Sequence, residues 1–332
     1  MPAAAPVQVA PGVHRVSVPL PFPPHEVAAW LLEDDAGHTL VDTGIDTPPA
    51  RGALRDGAER LGVTPATLRH VVLTHAHIDH YGLAGPVRAW SGARVCMHER
   101  EEALIRAFVD DWPSERERAA GEFLTHGVPA EVVPQLVAAT DRIHAQYEDF
   151  RPDDLLAGER GALPGGGGWE WMLTPGHSPG HVSVYHPERR ILIAGDHVLP
   201  RISPNIGADR YVGDPLSEYL ASLARLRDLP VDLVLPSHGE PFADLAARVD
   251  GLIAHHRERN DRLLALLERP RSVYALALLL FPDVAADTRL HALRETLAHL
   301  VYLERAARVV REGERWAPSP RPPPPPAGAQ GG

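Results

Sequence analysis

THAHIDHYG occupies Thr74 to Gly82 and follows directly on the apolar run Val71–Leu73. Three histidines and an aspartate, His75, His77, Asp79 and His80, fall within six consecutive positions. The run reads as a short β-branched strand whose end opens into a loop crowded with metal-capable side chains. Flanking Ala76, His75 and His77 can point the same way on an extended or turning backbone, whereas the adjacent Asp79 and His80 project differently. One loop can thus feed two neighbouring metal positions. Zinc usually takes about four ligands, so the loop completes neither position alone.

Candidates for the missing ligands occur in three places: His177 in TPGHSPGH, Asp196 in AGDHV and His238 in LPSHGEP. Each closes an apolar, strand-like run. Open α/β sheets gather ligands at the carboxyl ends of their strands, so the three can converge on the edge that carries the first loop. His181 and His197 adjoin these motifs and are expected to support the site rather than ligate. The other twelve of the 19 histidines are expected to be surface or hydrogen-bonded core residues.

THAHIDH resembles the HxHxDH signature of the metallo-β-lactamase-fold hydrolases. VDTG (Val41–Gly44), TPGHSPGH, AGDHV and PSHGEP match that family's other motifs in order, and the likeness extends from about Val13 to Pro241. The resemblance implies an α/β fold, the αββα metallo-β-lactamase sandwich, and two divalent metal ions, with zinc the first expectation and manganese or iron also compatible. It assigns His75, His77 and His177 to one metal, Asp79, His80 and His238 to the other, and Asp196 to a bridge. Asp42 matches the family aspartate that lies beneath the metal loop and orients a ligating imidazole.

Around this centre the chain begins strand-rich, alternating apolar and polar residues from Val13 to about Asp42, and continues with a helical stretch from Pro49 to Leu61. Residues 99–147 turn to charged, helically periodic stretches and read as an inserted set of helices covering the site, a lid. A wall of this lid would draw on Phe108, Trp112, Phe123, Leu124 and Tyr147. From about Asp244 three helices precede a hairpin turning at Gly313, the pattern of a small winged-helix-like module. The expected organisation is therefore a catalytic domain over 1–242, a winged-helix-like module over 243–317 and a disordered Pro-rich tail over 318–332.

Composition bounds the function. With 332 residues and 44% hydrophobic content the chain can bury one large and one small core. All 33 basic residues are arginine, which excludes Schiff-base lysine chemistry and a phosphate-loop lysine. The formal charge of −11 disfavours a general polyanion-binding role. The single cysteine, Cys96, reads as a buried thiol in ARVCMH. No apolar stretch is long enough to span a membrane and no basic leader is evident, so a cytoplasmic location is expected.

The expected reaction is hydrolysis of a small-molecule ester, thioester or lactone, a hydroxide held between two metals attacking the carbonyl while Asp79 orients it and shuttles a proton. Tyr211 is a candidate for stabilising the oxyanion. A bridging aspartate at position 196 is more like glyoxalase II-like thioesterases, lactonases and nucleases than β-lactam-degrading enzymes. The C-terminal module is similar to that of the mitochondrial β-lactamase-like endoribonuclease group, which keeps RNA cleavage as an alternative. A mononuclear iron enzyme resembling persulfide dioxygenases and a non-catalytic ligand sensor are further alternatives.

Overall fold

The structure is a computed structural model and describes residues 4–34, 37–145, 147, 150–208, 213–285 and 288–320. Its first sheet has seven strands in chain order: β1 (Val7–Ala10), β2 (Val13–Pro19), β3 (Glu26–Asp34), β4 (Gly37–Val41), β5 (Leu68–Val72), β6 (Arg94–His98) and β7 (Asp154–Leu156). The pairs from β1 to β4 are antiparallel, and those from β4 to β7 are parallel. The parallel strands are joined by α1 (Pro48–Arg60), by α2 (Ile78–Tyr81) with α3 (Ala84–Ser91), and by α4 (Glu99–Asp110), α5 (Trp112–Thr125) and α6 (Val133–His144).

The second sheet holds β8 (Arg160–Ala162), β9 (Glu170–Leu173), β10 (Val182–His186), β11 (Ile191–Gly195) and β12 (Leu233–Pro236) in the order β12-β11-β10-β9-β8. Helix α7 (Pro215–Arg227) makes the crossover between the parallel strands β11 and β12. The chain then runs through α8 (Leu245–Leu266), α9 (Val273–Leu280) and α10 (Arg289–Arg305) to a hairpin of β13 (Val309–Glu312) and β14 (Arg315–Pro318).

The period of two along each strand builds the layers. On β3, Val27, Ala29 and Leu31 face a core shared with α1, while Ala28, Trp30 and Leu32 face the second sheet. On β11, Ile191 and Ile193 face the first sheet, and Leu192 and Ala194 pack towards α7 and α8. Strands apolar on both faces read as continuous hydrophobic runs, and two such sheets pack face to face only if helices cover their outer sides. The outcome is a mixed α/β sandwich with helices outside both sheets.

A further core joins α5 and α6 to the C-terminal helices: Phe123, Leu136 and Val137 pack with Leu263, Leu276, Leu293 and Trp316. Phe123, expected in a pocket wall, is thus spent on this core, and Leu124 is 48% exposed. Phe108, Trp112 and Tyr147 do form one aromatic stack. Ring centroids lie 5.2 Å apart for Phe108 and Tyr147 and 6.2 Å for Phe108 and Trp112, and Trp112 stacks on His144 at 4.0 Å. No described helix is long and apolar enough to cross a membrane. Of the tail over 318–332, residues 321–332 lie outside the described residues, as does Tyr211.

Candidate metal centre

The carboxyl ends of β4, β5, β9, β11 and β12 meet at one edge of the sandwich, and the seven sequence-selected donors follow the last four of these strands, in two groups. Ligand atoms of His75, His77, His177 and Asp196 fall within 4.8 Å of one another, as do those of Asp79, His80 and His238. In the first group His77 Nδ1 lies 2.8 Å from His75 Nε2 and 3.0 Å from His177 Nε2. Tetrahedral zinc with bonds of about 2.0–2.1 Å separates its nitrogens by roughly 3.3 Å, so a shift of a few tenths of an ångström converts the cluster into a ligand set. Asp196 faces both groups. Its Oδ2 is 3.5 Å from His177 Nε2, while its Oδ1 is 3.5 Å from His238 Nε2 and 3.6 Å from His80 Nε2. Asp79 Oδ2 stands 3.4 Å from His238 Nε2 and 3.8 Å from His80 Nε2.

The outer nitrogens of four imidazoles decide what the inner ones offer. Thr74 Oγ1 donates its one proton to Asp42 Oδ2 at 2.8 Å, so it accepts from His75 Nδ1 at 3.0 Å. His177 Nδ1 donates to the Asn205 carbonyl and His238 Nδ1 to the Glu26 carbonyl, both at 2.9 Å. His80 Nδ1 donates to Asp42 Oδ2 at 2.9 Å. A neutral ring has one N–H, so in their neutral form all four present an Nε2 lone pair to the centre. Four Nε2 atoms, His77 Nδ1 and two carboxylates converge there. His80 Nε2 and Asp196 Oδ1 are buried with no hydrogen-bond partner. Such a set suits a divalent cation, since orphaned buried acceptors otherwise cost about 1–3 kcal/mol each.

Charge is distributed unevenly between the groups. Burial, reinforced by the neighbouring imidazoles, holds His75 well below the ordinary histidine pKa and His77 at about 3; burial also lowers His177. These rings are neutral at pH 7. Burial opposes charge on His80 and His238 as well, but Asp196 and Asp79 beside both, with Asp42 beside His80, outweigh it and raise both pKa values. The carboxylates thus draw positive charge to this second group. Asp79 and Asp196 are themselves lowered, because the imidazoles outweigh their burial, and both are ionised.

Asp42 takes a left-handed backbone (φ 62°) directly after β4 and accepts from the Thr74 amide at 2.8 Å as well as from His80, which ties the first strand end to the metal loop. His181 is buried, with Nδ1 bonded to Thr174 just past β9 at 2.8 Å and Nε2 to the Asp196 amide at 3.2 Å, so both ring nitrogens have partners outside the donor cluster. His197 is buried against Tyr219, with ring centroids 4.7 Å apart. Glu101, on α4, has a role the sequence did not disclose. Its Oε2 accepts from the Ala76 amide at 2.6 Å, and its Oε1 accepts from Ser178 Oγ at 2.7 Å and the Gly180 amide at 2.5 Å, so one carboxylate holds two ligand loops together. Gly180 permits this: a Cβ there would meet the α4 backbone at 2.9 Å. A cavity of about 680 Å³ opens elsewhere, between α1, α3 and the first sheet, but its walls, Leu31, Leu40, Leu54, Leu68 and Val87 among them, include none of these donors.

The Metallo-beta-lactamase superfamily model matches residues 23–238, the span from the second hairpin to the last clustered histidine. The chain belongs to that superfamily. It is 29% identical over 304 residues to the probable metallo-hydrolase YqjP of Bacillus subtilis (strain 168), covering 88% of this chain and 92% of that one. Among solved structures, a metallo-beta-lactamase family protein from Thermus thermophilus is 36% identical with a TM-score of 0.80, over 94% of this chain and all of the other. A beta-lactamase domain protein from Burkholderia ambifaria is 30% identical with a TM-score of 0.79, over 94% of both chains. Both likenesses extend well beyond the residues the family model matches. Superfamily membership and the His/Asp cluster together support a metal-dependent hydrolase.

Proposed function

We propose that the chain is a dinuclear metal-dependent hydrolase of small-molecule esters, thioesters or lactones. The observation that carries this reading is Asp196, whose two oxygens face different donor groups and so can bridge two ions. Two divalent ions, zinc or alternatively manganese or iron, would supply Lewis acidity towards a carbonyl oxygen and bring the pKa of a water down to about 7.

The chain's own groups do the rest. His75, His77 and His177 hold the first position and Asp79, His80 and His238 the second. Asp79, ionised and the most exposed of the second group, orients the attacking water and accepts its proton. Tyr147, close enough to Asp79 and Glu101 to feel their charge, stacks on Phe108 and Phe108 on Trp112, an apolar face that would suit an acyl or leaving group, with α4 to α6 as its cover. Three helices followed by a hairpin support reading 243–317 as a winged-helix-like module. RNA is the competing substrate. The net charge of −11 weighs against it, as does the apolar stack where a phosphate track would need cations. The complete second donor group weighs against a mononuclear iron enzyme.

The test is hydrolysis of a panel of thioesters, lactones and RNA at low and moderate salt, by wild type, Asp79→Asn and Trp112→Ala. The carbonyl substrates should be cleaved, with turnover falling about 100-fold in Asp79→Asn. Cleavage of RNA alone, collapsing as salt rises and indifferent to Trp112, would replace this function with a nuclease.

A further inference from the structure

We propose that Glu295, on α10, is a positioning residue for the first metal position and acts on His177 through Asn205. The proposal rests on His177 being a metal ligand and adds what fixes it. On its side away from the donor cluster the ring of His177 is held by the bond from Nδ1 to the Asn205 carbonyl at 2.9 Å. Asn205 lies within residues 203–208, between β11 and α7, which form no helix or strand, so no ladder or helix fixes that carbonyl. What does hold the residue is its own side chain, which donates from Nδ2 to Glu295 Oε2 at 2.8 Å. The other oxygen of Glu295 is paired with Arg259 of α8.

Burying such a pair is costly, and apolar residues of similar size would pack α8 against α10 at least as well. Glu295 and Arg259 have side chains only 10% and 14% exposed. Their pairing leaves one carboxylate oxygen free to receive Asn205, a task no apolar residue can perform. The same two helices grip this segment on either side of Asn205. Arg248 of α8 donates to the carbonyls of Leu199 and Ile202, and the Ala208 amide donates to the Arg294 carbonyl on α10. The C-terminal module therefore reaches the metal centre through the segment that follows Asp196, and Glu295 acts at Asn205, whose carbonyl meets the His177 ring. Loss of an outer partner of a ligating histidine typically costs about 10–100-fold in metal affinity.

The experiment titrates zinc into metal-stripped protein against a chromophoric chelator, for wild type, Glu295→Ala, Glu295→Gln, Asn205→Ala and the double alanine variant, with thermal unfolding of each stripped protein alongside. Glu295→Ala and Asn205→Ala should each weaken one of the two zinc positions about 10-fold or more and leave the other unchanged. The double variant should be no worse than the poorer single one, because both break the same link. Glu295→Gln should lie nearer wild type, its amide oxygen still accepting from Asn205. Asn205→Ala leaves the Arg259–Glu295 pair intact, so it carries the test if Glu295→Ala does not fold. Lower unfolding temperatures with unchanged zinc affinity would make Glu295 merely structural and overturn the proposal, as would losses that add in the double variant. Wild type that binds no zinc would overturn the metal reading itself.

Discussion

A single carboxylate, Glu101, joins the loop that carries His75 and His77 to the loop that carries His177. Burial raises its pKa, with the bonds from Ser178, Ala76 and Gly180 opposing that rise, so the side chain is satisfied only by donors aimed at both oxygens. Glu101→Gln turns one end of the side chain into a donor facing donors. The expected loss is about 1–3 kcal/mol of stability and about 10-fold or more in metal affinity, read from denaturant melts and chelator competition. Cys96 offers a prediction of the opposite kind. Burial, helped by Asp154, pushes its thiol up to about 12, so at pH 8 almost no thiolate exists. Native protein should resist a thiol reagent at that pH while unfolded protein reacts at once; prompt reaction of the native form would mean that β6 opens.

Asp42 was legible in the sequence because VDTG stands as a local motif. Glu101 was not, since EREE at 99–102 reads like any solvated helix start. Its partners lie as far as 79 positions away, and only the close approach of Gly180 to α4 brings them together.

At the scale of elements, strands apolar on both faces were legible, and so were the long helices, because their periodicity is sustained. The strands β1, β7 and β8 escaped notice: each has only three or four residues, mostly exposed or half-buried, and edge pairing is set by a neighbour rather than by the strand's own pattern. The charged stretches of 99–147 read as a free-standing lid because their apolar faces name no partner. In the fold α5 and α6 share a core with α8, α9 and α10, so insertion and C-terminal helices stand or fall together. Leu276, fully buried on α9 in that core, makes this testable. Leu276→Ala should cost about 2–5 kcal/mol, and hydrogen exchange should quicken in 112–144 as well as in 273–305. Quickening confined to the C-terminal helices would show that the two regions are energetically separate.

For the whole molecule, strand ends and helix starts distant in sequence deliver seven donors to one edge, and the sandwich is what makes that delivery rigid. The residue types, their order and, through the resemblance, a bridging role for Asp196 were readable; which of its oxygens faces which donor group is seen only in three dimensions. Elemental analysis of purified wild type, Asp196→Ala, His177→Ala and His238→Ala tests this most directly. Wild type should carry close to two divalent ions per chain. His177→Ala and His238→Ala should each retain about one, and Asp196→Ala should lose part of both, as expected where each ion has few ligands to spare. One ion per chain in wild type, with His238→Ala and Asp196→Ala indistinguishable from it, would contradict the bridged two-metal centre.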